Sequence, residues 1–91
     1  MTSSAVTIRN SLGLHARAAA RFVHTASGFH ARIRVARGGR EIDGKSIMGL
    51  LLLAAAQGTV ITISASGTDE HEAVTSLCSL VDRGFDEVSC T

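Results

Sequence analysis

The sequence predicts an α+β domain in which a four-stranded sheet is covered on one face by three helices. Three observations carry this. The apolar period switches along the chain between two and 3.6 residues, in the order β-α-β-β-α-β-α. At 91 residues the chain suits one two-layer domain, spanning positions 1–91. The longest apolar run, positions 47–56, is half the roughly 20 residues that a membrane helix requires.

The elements follow in turn. Val6 and Ile8 alternate with Thr7 and Arg9, as in a short half-buried strand. Over positions 16–27 the period becomes helical: Ala19, Phe22, Val23 and Ala26 share one face, and Gly28 is a suitable stop. Ile33 and Val35 alternate with Arg32, Arg34 and Arg37, and Gly38-Gly39 turns the chain into a second strand at 40–43, a hairpin pattern. Ser46 is placed to cap a helix over 47–56, which Gly58 ends. Positions 59–65 are rich in β-branched residues and read as a strand. Asp69 with Glu72 resembles a capping box for a last helix, whose apolar positions are Ala73, Leu77, Leu80, Val81 and Gly84. Periodicity does not separate a ferredoxin-like strand order from other split βαβ arrangements.

Composition narrows the function. Apolar residues make up 45% and charged residues 19%, which argues against disorder. Three Phe with no Tyr or Trp leave an aliphatic core and disfavour a base-stacking surface. Nine basic residues against eight acidic give no field that would draw DNA or a membrane, so neither nucleic acid nor membrane insertion is expected. Arg32, Arg34 and Arg37 read as a solvated basic stripe on one strand face. The opening residues lack the basic and apolar regions of a signal peptide. Cys78 and Cys90 lack metal or CxxC spacing, so reduced thiols in a cytoplasmic protein are expected, Cys78 partly buried. His24, His30 and His71 fit no metal motif and are expected at the surface.

Chemistry concentrates in Gly13-Leu14-His15-Ala16-Arg17-Ala18-Ala19-Ala20-Arg21. His15 stands where a helix begins, among unpaired N–H groups and the positive end of the dipole. Such a place binds phosphate and disfavours an imidazolium, so His15 is expected to be neutral and nucleophilic. Arg17 and Arg21 occupy the first turns with no acid beside them, against the dipole by roughly 0.3–1 kcal/mol each when exposed. A dianionic phosphoryl group on His15, paired with Arg17, would remove that conflict. The plain alternative is a capping histidine with solubilising arginines, and spacing alone leaves both open.

Two further segments need a reading. Positions 39–46 match the pattern GxxxxGK[ST], but 40–43 reads as a hairpin strand, so no nucleotide site is expected. The 47–56 helix is apolar almost all round. Leu50, Leu53 and Ala54 can face the sheet, leaving Met48, Leu51 and Leu52 partly on another side, as in a docking patch.

The segment from Gly13 to Arg17 with its alanine-rich helix resembles the phosphohistidine site of the HPr family, small phosphocarriers of the phosphoenolpyruvate-dependent phosphotransferase system. Asp43-Gly44-Lys45-Ser46-Ile47-Met48-Gly49 is similar to that family's regulatory serine segment. Gln57-Gly58-Thr59 and Gly67-Thr68-Asp69-Glu70 are similar to its later landmarks, so the likeness spans nearly the whole chain. It implies an open-faced β-sandwich: a four-stranded antiparallel sheet in order 1-4-2-3 with three helices on one face. It implies that His15 is phosphorylated on Nδ1, that Arg17 steadies the phosphoryl group, and that Ser46 is the target of a serine kinase and phosphorylase. Ile47 and Met48 would meet partner proteins, and Leu51, Arg21 and His24 are assigned to the same surface.

The implied donor is enzyme I, charged by phosphoenolpyruvate, and the acceptor an enzyme IIA-type protein. The chain would then be a monomeric carrier, not an enzyme in its own right, with no bound cofactor. Ala18 departs from the proline common in the family, and Gly84-Phe85-Asp86-Glu87 is similar to the nitrogen-type branch, NPr. A regulatory binding module controlled through Ser46 is the alternative from a different class.

Overall fold

The computed structural model describes residues 1–86; Glu87 of the nitrogen-type ending and Cys90 lie outside the described residues. The elements run β1 (Thr2–Thr7), α1 (Ala16–Ala26), β2 (Arg32–Arg37), β3 (Arg40–Asp43), α2 (Ile47–Leu53), β4 (Val60–Ser66) and α3 (Glu70–Asp82), followed by a short 3-10 turn at Gly84–Asp86. The sheet order is β1-β4-β2-β3, and every pairing is antiparallel.

Alternation decides which face of the sheet is covered. Ile33 and Val35 of β2 and Ile61, Ile63 and Ala65 of β4 are buried beneath the helices. They meet Ala18, Ala19, Phe22 and Ala26 of α1, Leu50 and Leu53 of α2, and Ala73, Val74, Leu77, Leu80 and Val81 of α3 in one core. Burial of such side chains contributes roughly 1.5–3 kcal/mol each. With so few aromatics, the alanines of α1 let that helix sit close to its neighbours.

Several boundaries move for tertiary reasons. β1 starts at Thr2 because it pairs along its whole length with β4, from Thr2↔Ala65 to Thr7↔Val60. Ile8, expected in the strand, lies just past it and is fully buried. α2 stops at Leu53 rather than continuing to position 56: Ala54 is left-handed (φ 52°, ψ 39°), and Ala54 is exposed rather than facing the sheet. Gly84 lies beyond α3, in a turn where Gly84, Phe85 and Asp86 all have positive φ.

The capping box at Asp69 and Glu72 does not form. Asp69 turns its carboxylate to the backbone N–H groups of His30 and Ala31, both at 2.8 Å. That holds its pKa below the usual value, chiefly through the His30 bond. Glu70 takes the neighbouring role, accepting from the N–H of Gly67 at 3.2 Å and the hydroxyl of Thr2 at 2.6 Å.

The basic stripe also divides. Arg32 and Arg34 point away from the helices, and Arg34 pairs with Glu41 at 3.1 Å. Arg37 has the parity of Ile33 and Val35, so it leans to the helix side and donates to the Leu53 carbonyl at 2.9 Å.

Candidate functional site

His15 is the half-buried N-cap residue of α1, extended at φ −85° and ψ −179°, and its ring folds forward over the first turn. The backbone N–H of Arg17 points at Nδ1 from 3.3 Å. In that arrangement Nδ1 carries a lone pair toward the helix amides, and a neutral ring holds its proton on Nε2. The carbonyl of His15 accepts from Ala19 at 2.8 Å, so the residue belongs to the helix as well as to the loop.

The loop before it is tightly held. Gly13 has φ 67°, and a Cβ there would stand 2.6 Å from the Ala55 carbonyl oxygen, so only glycine fits. That same oxygen accepts the N–H of Leu14 at 2.8 Å. The amide of buried Asn10 donates to the Gly13 carbonyl at 2.7 Å. Sequence reasoning singled out Gly13 only as part of a motif; Asn10 acts on it from three positions away without a motif of its own, and Ala55 carried no signal because its role depends on a contact across some 40 positions.

The remaining candidate residues separate. Arg17 is exposed, and its guanidinium makes no hydrogen bond or ion pair among the described residues. Arg21 is half-buried and donates to the Phe85 carbonyl, which ties α1 to the turn after α3. His24 is exposed at the last turn of α1. Ala18 is fully buried, part of the core rather than of the surface.

Ser46 caps α2: its hydroxyl oxygen accepts the N–H of Gly49 at 3.0 Å. Ile47 and Met48 follow, 41% and 67% exposed, with Leu52 at 61%, while Leu51 is half-buried against the core. Leu12, in the loop before His15, is another large exposed apolar residue that the sequence reading passed over. The structure thus brings the His15 loop onto the C-terminal end of α2 and leaves Ser46 at the other end. Across that seven-residue helix the separation is roughly 10 Å, at about 1.5 Å per residue. The Lys45 ammonium, the lysine of the GxxxxGK[ST] pattern, donates to the Phe29 carbonyl at 2.8 Å, and 40–43 is strand β3.

Comparison with known proteins agrees with this architecture. The family described as PTS HPr component phosphorylation site matches residues 2–83. The chain is 47% identical over 87 residues to phosphocarrier protein HPr of Xylella fastidiosa, covering 96% of this chain and 98% of that protein. It is 44% identical over 84 residues to phosphocarrier protein NPr of Shewanella violacea, covering 92% of each. The crystal structure of HPr from Thermoanaerobacter tengcongensis superposes with a TM-score of 0.93 at 43% identity, covering 98% of this chain and 100% of that one. A small one-sided α+β sandwich of this kind is the architecture of a phosphocarrier. The chain belongs to the HPr family of the phosphotransferase system.

Proposed function

We propose that this carrier takes its phosphoryl group on Nδ1 of His15, from enzyme I charged by phosphoenolpyruvate, and hands it to an enzyme IIA-type acceptor. The observation that supports this is the position of Nδ1 at the start of α1, with the Arg17 N–H aimed at it. In the transfer, the Nδ1 lone pair attacks phosphorus in line, a P–N bond forms, and the bond to the donor breaks with its electron pair leaving on the donor. The first-turn amides of α1 then face the phosphoryl oxygens, and the Arg17 guanidinium can swing onto them. Ile47, Met48 and Leu51, with Arg21 and His24, form the partner surface, and Ser46 is its regulatory serine. The unit acts as one HPr domain and as a monomer.

The test is incubation with enzyme I and phosphoenolpyruvate. One acid-labile, base-stable phosphate is expected, absent from His15→Ala; undiminished labelling of that variant would overturn the assignment. Relatives of both the HPr and the NPr type match the chain, so the labelled protein should be offered to a sugar-type and a nitrogen-type enzyme IIA. The faster acceptor names the branch. A chain that accepts no phosphate would instead be a regulatory binding module.

A further inference from the structure

α2 is short, and no basic residue of its own sits in its last turn to meet the terminal carbonyls. Those carbonyls form the negative end of the helix and need donors. Two arginines from the β2–β3 hairpin supply them. Arg37 donates to Leu53 O at 2.9 Å, and Arg40 donates to Leu52 O at 2.7 Å. Arg37 and Arg40 are direct cross-strand partners at the closed end of the hairpin, a like-charged pairing that by itself is unfavourable. Neither makes an ion pair with a carboxylate among the described residues, whereas Arg34, Arg9 and Arg83 do.

What these bonds hold is the turn that supports His15. Immediately after the two arginine-bound carbonyls, Ala54 adopts its left-handed conformation. This swings Ala55 so that its carbonyl accepts the N–H of Leu14, and Gly13 packs against the same oxygen. A continuous path of bonds therefore runs from the hairpin arginines through the end of α2 to the residue before His15. We infer that Arg37 and Arg40 are positioning residues for phosphotransfer: they fix the C-terminal turn of α2 from which the His15 loop is suspended. They touch neither the imidazole nor the incoming phosphoryl group. The inference rests on His15 being the phosphoacceptor, and its structural half is measurable without any partner.

The experiment compares wild type with R37A, R40A, R37A/R40A and R37K/R40K. Amide hydrogen exchange is followed at Leu14 and, as a control in the sheet, at Ile63; phosphorylation by enzyme I is measured over a range of carrier concentrations. For R37A/R40A, exchange at Leu14 should rise about tenfold while Ile63 changes less than about twofold. Turnover at saturating carrier should fall about three- to tenfold with KM within about twofold, because loop order rather than docking is lost. The lysine pair, which keeps the charge and an N–H donor group at each position but not the planar fork, should restore part of both. Should the double variant fail to fold, R37A and R40A carry the same comparison. Unchanged exchange at Leu14 overturns the inference, as does an equal rise at Ile63, which means general destabilisation. A raised KM with unchanged turnover also overturns it and makes the arginines docking contacts. If His15→Ala remains fully labelled, the phosphoacceptor assignment fails on its own, while the Leu14 result still decides whether the arginines order the loop.

Discussion

The backbone N–H of Arg17 points at Nδ1 of His15 from 3.3 Å, while the guanidinium of the same residue stands in solvent without a partner among the described residues. One residue thus offers two different donors to whatever is attached to that nitrogen. The amide is fixed by α1 and survives any substitution except proline. The guanidinium is exposed, and its charge opposes the helix dipole.

This division predicts how Arg17→Ala behaves. An exposed side chain with no bond among the described residues should cost within about 0.5 kcal/mol of stability when removed. A charge-assisted contact to the phosphoryl group is worth roughly 1.5–3 kcal/mol, so transfer should slow by about tenfold or more. Thermal denaturation and single-turnover transfer from enzyme I measure the two effects separately. Unchanged transfer kinetics would reduce Arg17 to a surface charge.

Ala54 offers a prediction on stability. A non-glycine residue in the left-handed region costs roughly 1–2 kcal/mol, and glycine there gives back about 0.4–1 kcal/mol through the freer unfolded chain. Ala54→Gly should therefore stabilise by about 0.5–1 kcal/mol, roughly 2–8 °C in Tm for a chain of this size. A lower Tm in that variant would show that Ala54 is not strained.

Ala54 also shows where the sequence stopped being legible. Alanine is the best helix former, so nothing local ends α2 at Leu53. The contacts made at that end come from Arg37 and Arg40, whose guanidinium groups bond the last carbonyls, and from Gly13 against Ala55, all of them 13 or more positions from Leu53 in the chain. Asp69 is the same kind of case: a good N-cap residue by type, captured instead by the N–H groups of His30 and Ala31. Ile33 and Val35 could be read correctly because alternation is a local property of a strand on a covered sheet. The same alternation separates Arg37 from the outer stripe of Arg32 and Arg34, because its odd parity with Ile33 and Val35 puts it on the helix side. His15 at a helix start was visible in its motif, but the support beneath it was not.

Glu70 gives a pH-dependent prediction. Its carboxylate accepts the Thr2 hydroxyl and the Gly67 N–H and pairs with the Met1 ammonium at 3.1 Å, and these contacts, the Thr2 bond foremost, lower its pKa from 4.5 to about 2. A depressed pKa means that the folded state favours the charged form, so the contribution is present above the unfolded value. It is lost as pH falls from about 4.5 through about 2. Glu70→Gln should lower Tm near neutrality and should lack this share of the acid-induced loss. Tm profiles from pH 7 to pH 2 for the two proteins should converge toward the acid end; parallel profiles would exclude a special role for Glu70.

Ser46 joins stability and docking in one position. Its hydroxyl caps α2 by accepting the Gly49 N–H, so Ser46→Ala should cost about 1 kcal/mol. Aspartate caps as well as serine, and its charge suits the positive end of the helix, so Ser46→Asp should keep or raise Tm. A phosphate of about −1.5 to −2 charge meets the same free amides. Yet Ser46 lies at the end of α2 remote from the His15 loop, which meets Ala55. Its charge therefore acts on transfer through the surface between them, where exposed Ile47 and Met48 stand directly beside it. Burying a charge among apolar side chains at an interface costs several kcal/mol, roughly 2–7 even for a neutral polar group left without a partner. The rate of His15 phosphorylation by enzyme I should fall for Ser46→Asp mainly through a raised KM, and fall further for the phosphoserine form. A slower rate with an equal or higher Tm supports a docking switch. A slower rate with a clearly lower Tm means damage to the fold, and a reduced turnover with unchanged KM would place the effect at His15 itself, across the length of α2.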